Sequence, residues 1–397
     1  MTLPNASFRH ASAQQLAQAL IAARRHTLAL FDRYAQAGYD VAARLPQEPH
    51  LLPPLWQLGN IAWFAEWFIL REAPSSHPAD AVYNGLLSRG DDLFDANIVA
   101  HHARWSLELP ATGAVRMYAH EVLDRVLDKL SRTASVDSAL YPYRLALAHE
   151  DRCGEAMLAG LQWLGVAAPA GLPDSRLGPA GGQLAFPGGS IELGSRPGAG
   201  FAFDNECPPQ ACYVPPFAID SAAVTNAQFA DFVLDGGYQN RQFWSAAGSA
   251  WLMGQERSSP LYWQREALQW CSRRFGQPAM LPPQEAVRHV NLYEAQAYCA
   301  WIGRRLATEA EWEYAALAGH PLFQWGQVWE WTATPFEPYP GFVPGAWREY
   351  SVPHFLHHQV LRGASFATPP RLVSPRMRAF QAPERGDGFT GLRTCSW

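Results

Sequence analysis

His149 and Cys153 stand four residues apart in the stretch LALAHEDRCGEAM (145–157), with Arg152 between them. On a helix this spacing puts two side chains on one face, about 5–6 Å apart. Leu145, Ala156 and Gly160 share that face, so it should turn inward. An imidazole and a thiolate are good ligands for a transition metal such as zinc or copper. Arg152 argues against a divalent ion, because its permanent charge repels one strongly at low dielectric. The same charge should lower the pKa of Cys153. Without a metal, Arg152, Asn60 and His149 would instead form a polar pocket suited to a carboxylate or phosphate. In the plainest reading Asn60 and Arg152 simply satisfy each other, as buried polar groups must. His149-Glu150 also opens like a His-Glu-x-x-His zinc peptidase motif, but Cys153 takes the second His position and no third ligand follows at peptidase spacing.

The elements that must position these groups read as helices. AQQLAQALIAARRHTLALFDRYA, PLWQLGNIAWFAEWFILRE, TGAVRMYAHEVLDRVLDKL and YPYRLALAHEDRCGEAMLAGLQWLG each repeat apolar residues at three- and four-residue steps. The second opens at Pro53-Pro54 and gathers Trp56, Asn60, Trp63, Phe64 and Trp67 on one face. These segments predict a four-helix bundle over residues 1–168, with a longer connection at 72–110. Residues 169–182, rich in Gly, Pro and Ala, read as a linker. Residues 183–397 read as an irregular α+β domain of short apolar runs, Gly/Pro turns and two helix-like stretches. Thr225 and Thr308 are candidate N-caps, and Thr308 with Glu311 fits a capping box.

At 397 residues the chain is long enough for two or three domains. With 48% hydrophobic and 17% charged residues it can build a sizeable core, which excludes a disordered chain. The net charge is −5 and Lys and Arg are scattered, so no basic stripe points to nucleic acid. No apolar run reaches the ~20 residues of a membrane span. The first residues lack the basic-then-apolar layout of a secretory signal, so a cytoplasmic protein is expected. The six cysteines form no Cys-x-x-Cys pair, and in a reducing cytoplasm they should be free thiols.

The ordered pieces GGSIELG, FDNE (203–206), VTNAQFADFVLDGGY, HVNLYEAQAYCAWIGRRLATEAEWEYAA, VWEWTATPFEPYPGF, VLRGASFAT and GLRTC resemble the formylglycine-generating-enzyme-like (C-type-lectin-like) domain. LWQLGNIAWFAEWFILR, LFDANIVAHHARWSLELP and HEDRCGEA resemble the DinB-like bundle that precedes that domain in ergothioneine-type sulfoxide synthases, including selenoneine synthases. The resemblance implies a non-haem Fe(II) held by three bundle histidines. It implies O2-dependent joining of sulfur or selenium to the imidazole of hercynine, a trimethylated histidine, from a thiol or selenium donor. Neither a membrane nor a nucleic acid is an implied partner.

Carried over by position, the three iron ligands fall on Asn60, His149 and Cys153, so two of the three histidines are replaced. Gln327 stands for an Asn in VWEWT's flank, and Arg378-Ala379-Phe380 stands for an Arg-Asn-aromatic triplet that helps hold substrate. The resemblance assigns Tyr339 to a cleft-lining loop as a proton donor or substrate contact. It assigns Arg104 to the thiol donor's carboxylates, where a surface salt bridge is the alternative. Arg152, Arg378, Phe380 and Gln381 complete the substrate-binding candidates. His120 in the third helix could replace a lost ligand only if it faces inward. Cys395 does not recreate the cysteine pair of true formylglycine generators. A repurposed homologue that binds a small anion or betaine without oxidative catalysis is the competing expectation.

Overall fold

Ser12 accepts a hydrogen bond from the Gln15 backbone while the Gln15 side chain reaches back to the Ser12 N–H, and this reciprocal cap starts α1 (Ala13–Gln36). α2 (Pro54–Ala65) opens with proline at its first position, where the missing N–H costs nothing. The computed structural model describes residues 7–71, 85–172, 182–267 and 269–396. The chain divides into two compact units, one ending at Ala170 and one beginning at Gly171. Most of the segment expected as a linker, residues 173–181, lies outside the described residues, as do residues 72–84 of the expected long connection.

The first unit is helical. Besides α1 and α2 it contains the short α3 (Gly90–Phe94), α4 (Thr112–Ser131) and α5 (Asp137–Leu164). α5 stops at Gly165, whose φ of 70° suits a left-handed cap. α1 packs on α5, and α2 packs on α4 and α5. Within this apolar interior Glu150 is buried, held by Arg24 Nε at 2.9 Å and Thr27 Oγ1 at 2.9 Å. Tyr34 donates to the Met157 carbonyl at 2.6 Å. Gly160 permits that approach, since a Cβ there would fall 2.3 Å from the tyrosine oxygen. The second helix was expected to continue as an α-helix to residue 72. It instead passes into a π turn, Glu66–Leu70, a form that recurs near functional sites.

The second unit is β-rich. β1 (Gln183–Phe186), β4 (Phe217–Asp220), β13 (Thr394–Cys395) and β8 (Arg305–Leu306) form one sheet in that order. β11 (Ala379–Gln381), β10 (Gln359–Gly363), β9 (Trp329–Pro335) and β12 (Thr390–Leu392) form the second. β2 (Gly189–Leu193) pairs with β3 (Gln210–Val214), and β5 (Trp263–Glu266), β6 (Gln269–Arg274) and β7 (Gln277–Met280) make a meander. α6 (Asn226–Leu234), α7 (Ala246–Met253), α8 (Leu292–Trp301) and α9 (Glu309–Leu317) lie between them in sequence. Thr225 and Thr308 cap α6 and α9, each within a capping box. Trp329 and Trp331 are both buried in β9, and Trp331 donates to the Val290 carbonyl at 2.8 Å. All six cysteines are free thiols. Among the described residues no helix is long and apolar enough to cross a membrane.

Candidate functional site

The candidate residues fall into two sets, one in each unit. In the helical unit His149 is 4% exposed on α5. Phe64 of α2 stacks on its ring at 3.9 Å, with the planes 1° apart. One turn along α5, Cys153 places Sγ 3.7 Å from His149 Nε2. Burial holds the imidazole down to about 3, so it is neutral at physiological pH.

Cys153 behaves differently from the expectation set by its arginine neighbour. Burial pushes its thiol up to about 12, with the Glu150 charge acting the same way and Arg152 and Arg104 opposing. Desolvation wins because the Arg152 side chain is 24% exposed and faces Glu155 at 3.4 Å, so its field at the sulfur is screened. The expected Asn60–Arg152 contact is also corrected. Asn60, buried in α2, donates through Nδ2 to the Phe94 carbonyl at 2.8 Å. Gly59 makes room for this: a Cβ there would fall 2.1 Å from the Phe94 ring.

Arg104 is not a surface salt bridge. Its guanidinium lies 4.0 Å from the Trp56 ring centroid, and Nε and one terminal nitrogen reach the Val99 carbonyl at 3.3 and 3.2 Å. Among the described residues no carboxylate pairs with it. Burial lowers its pKa to about 10, with Cys153 acting the other way, and it remains a cation at neutral pH. A half-buried cation on an aromatic face, without a counter-ion, is suited to an anionic group.

The residues at the family's ligand positions do not fit a three-histidine iron. They supply one imidazole, one thiol and an amide whose nitrogen faces a carbonyl. No three His, Cys, Asp or Glu side chains converge for a metal among the described residues. Nor does a nearby histidine stand in. His102 and His120 are exposed, and His101 Nε2 lies 3.0 Å from the Leu51 carbonyl.

In the second unit Arg378 is 1% exposed and its guanidinium is committed internally. Nε and a terminal nitrogen donate to Glu309 at 2.8 and 3.1 Å, and the other terminal nitrogen donates to the Glu337 carbonyl at 2.7 Å. The Arg378 guanidinium is thus held in place by Glu309 and by the Glu337 carbonyl. Tyr339 is buried, with its hydroxyl 3.4 Å from Glu309 and the Arg378 guanidinium 4.3 Å from its ring centroid. Burial raises its pKa. Phe380 stacks on Phe336 at 4.2 Å, and Gln381 donates to the Arg385 carbonyl at 3.0 Å. Sequence reading missed the acidic partners of this cluster. Arg362 meets Glu313 at 2.9 Å and Glu309 at 3.2 Å. Glu309 and Glu313, four apart on α9, were the available signal.

Residues 170–327 match the sulfatase-modifying factor enzyme 1-like domain. The chain is 31% identical to the hercynine oxygenase of Mycolicibacterium thermoresistibile, over 96% of this chain and 94% of that protein. It is 32% identical to the hercynine oxygenase of Mycobacterium tuberculosis, over 96% of this chain and 98% of that protein. The formylglycine-generating enzyme of Streptomyces coelicolor is 36% identical, over 41% of this chain and 58% of that protein. Full-length similarity to the first two, with the helical unit preceding the β-rich one, places the chain in the ergothioneine-sulfoxide-synthase-like family whose members include the hercynine oxygenases.

Proposed function

We propose that this protein takes hercynine or a closely related histidine betaine as its ligand, in the cytoplasm, using a DinB-like helical bundle and a formylglycine-generating-enzyme-like domain. The observation that carries the reading is the match to hercynine oxygenases across 96% of the chain. Arg104 on Trp56 supports it, because a cation without a carboxylate partner suits the carboxylate of a betaine or of a thiol donor. His149, Cys153 and Asn60, with Arg152 at the edge, would line the same end of the helical unit.

Two forms of this function differ in chemistry. One is O2-dependent joining of sulfur or selenium to the hercynine imidazole, and the retained His149 favours it. The other is binding of the betaine at a rebuilt centre without that oxidation. The Asn60 amide turned to Phe94, and the thiol at position 153, favour this second form. The test is calorimetric titration of hercynine into anaerobically purified protein. Dioxygen uptake is then measured with Fe(II) and a thiol or selenium donor. Saturable hercynine binding without dioxygen uptake supports the second form. Uptake dependent on hercynine and Fe(II) supports the first, and absence of hercynine binding overturns the proposal.

A further inference from the structure

We propose that Arg257, Tyr262 and His289, in the β-rich unit, form a binding site for a small oxyanion that keeps one proton, as bicarbonate does. The assignment does not rest on the hercynine reading, since the probe is no betaine and none of the three residues belongs to the helical unit.

The backbone comes first. Tyr262 and His289 have φ of 71° and 62°, left-handed values that a bulky side chain rarely takes. Tyr262 leads into β5 and His289 leads into α8, so two separate stretches of chain carry the strain. The result sets one ring against the other, edge to face, with centroids 4.7 Å apart. Phe389 also packs on the imidazole at 5.6 Å. Strain of this kind persists where the surrounding fold enforces it, and it gathers at ligand sites.

Three polar atoms of the cluster are buried without a hydrogen-bond partner among the described residues: Tyr262 Oη, His289 Nδ1 and Arg257 Nη1. Each is costly to bury unless a ligand meets it. Arg257 lies 5.5 Å from the Trp251 ring centroid, and its charge acts on Tyr262. The neighbouring acids are already matched. Arg385 grips Asp387 at 2.9 and 2.6 Å, Arg288 donates to Glu285 at 2.8 Å, and Glu294 accepts from the Tyr238 hydroxyl at 2.7 Å. Arg273 sits 5.4 Å from the Tyr262 ring centroid. The surplus charge around the tyrosine is therefore positive, and it calls for an anion.

Donors and acceptors narrow the choice of anion. Arg257 Nη1 can only donate. The Gly386 and Gly388 carbonyls hydrogen-bond the His289 ring. With Nδ1 unpartnered, those bonds fall to Nε2, which carries the proton and leaves Nδ1 to accept. The Tyr262 hydroxyl serves in either sense. A fitting ligand offers an acceptor to the arginine and a donor to the imidazole. Chloride and formate lack the donor, whereas bicarbonate has both and matches one guanidinium with one charge.

The test is a titration of the full chain followed by the carbon-13 line width of labelled bicarbonate, with formate as the anion that has no proton to give. Bicarbonate should saturate one site, and formate should bind at least tenfold more weakly. Tyr262→Phe and Arg257→Gln should each weaken bicarbonate at least tenfold, while Arg265→Gln, on the exposed side of β5, leaves it unchanged. Circular dichroism establishes that the variants are folded. If Tyr262→Phe fails to fold, the half-buried Arg257→Gln decides. Absence of saturable binding, formate as tight as bicarbonate, or unchanged affinity in a folded Tyr262→Phe or Arg257→Gln overturns the assignment.

Discussion

His149 Nε2 faces Cys153 Sγ at 3.7 Å across a single helical turn, where the family pattern would set two imidazoles. This one replacement changes which ions, which protons and which reagents the helical unit can accommodate.

If only ligands separate this chain from an iron protein, Asn60→His with Cys153→His should create Fe(II) affinity. Arg152 faces Glu155 at 3.4 Å and is partly exposed, so it should not need to be neutralised. The expected result is about one equivalent of iron in the double variant with Arg152 intact, read by metal analysis after anaerobic desalting. Iron binding only after Arg152→Gln would restore the blocking role first assigned to that residue.

Cys153 should be a slow nucleophile. Its thiol is pushed up to about 12, and only the thiolate attacks. Iodoacetamide labelling at pH 8, followed by mass spectrometry, should modify Cys153 at least tenfold more slowly in the native protein than in urea. The native rate should climb with pH well beyond the range of an ordinary thiol. Equal rates in native and unfolded protein would contradict this.

Acid should destabilise both units through buried neutral histidines. His149 and His289 are each held down to about 3 by burial, and for His289 the neighbouring Arg288 adds to the effect. The unfolded chain takes up these protons near the ordinary histidine value of about 6.5, and the folded chain does not. Stability is therefore full above that value and falls as pH drops from about 6.5 toward 3, by up to about 1.4 kcal/mol per pH unit for each histidine. Urea denaturation at pH 7 and pH 5 should show the loss, with a shallower dependence in His289→Gln. A stability that rises on acidification would refute the assignment.

Glu309→Ala should damage folding more than ligand binding. Arg378 and Arg362 are 1% and 0% exposed, and both meet this carboxylate. Removing one partner of a buried ion pair costs roughly 3–5 kcal/mol. Thermal denaturation should register the loss, while hercynine affinity of the remaining folded protein stays within about threefold. A stable variant with abolished affinity would return Arg378 to the substrate.

Local signals carried much of this in the sequence. The cap at Thr308 is visible because the hydroxyl and Glu311 are three residues apart. The strand at Trp329 is visible because its aromatics alternate. Helix period also put Asn60 on the same face as Phe64, and His149 on that of Cys153. The partners were not legible. Asn60 meets a backbone carbonyl 34 residues away, and carbonyls carry no residue identity. Arg152 meets Glu155 because they stand three apart, nearly one turn of α5, an option hidden when attention rests on one face. The thiol's direction of shift was misread for a related reason. Sequence shows the charged neighbour, whereas desolvation depends on how much of the fold closes over the sulfur. The β5–β7 meander was missed too, since its strands are half exposed and polar, with burial patterns that barely alternate.

β13, only Thr394–Cys395, sits between β4 and β8, and Arg393 just before it binds the buried Glu330 at 2.7 Å. A nascent chain can therefore make β4 and β8 early yet must keep both facing edges uncovered until some 175 residues after β4 have been translated (395 − 220). Through that interval the edges are open templates for other strands. Synthesis at the ribosome thus leaves this sheet in need of shielding by chaperones, and a stop codon a few residues early would deliver a half-zipped, sticky product.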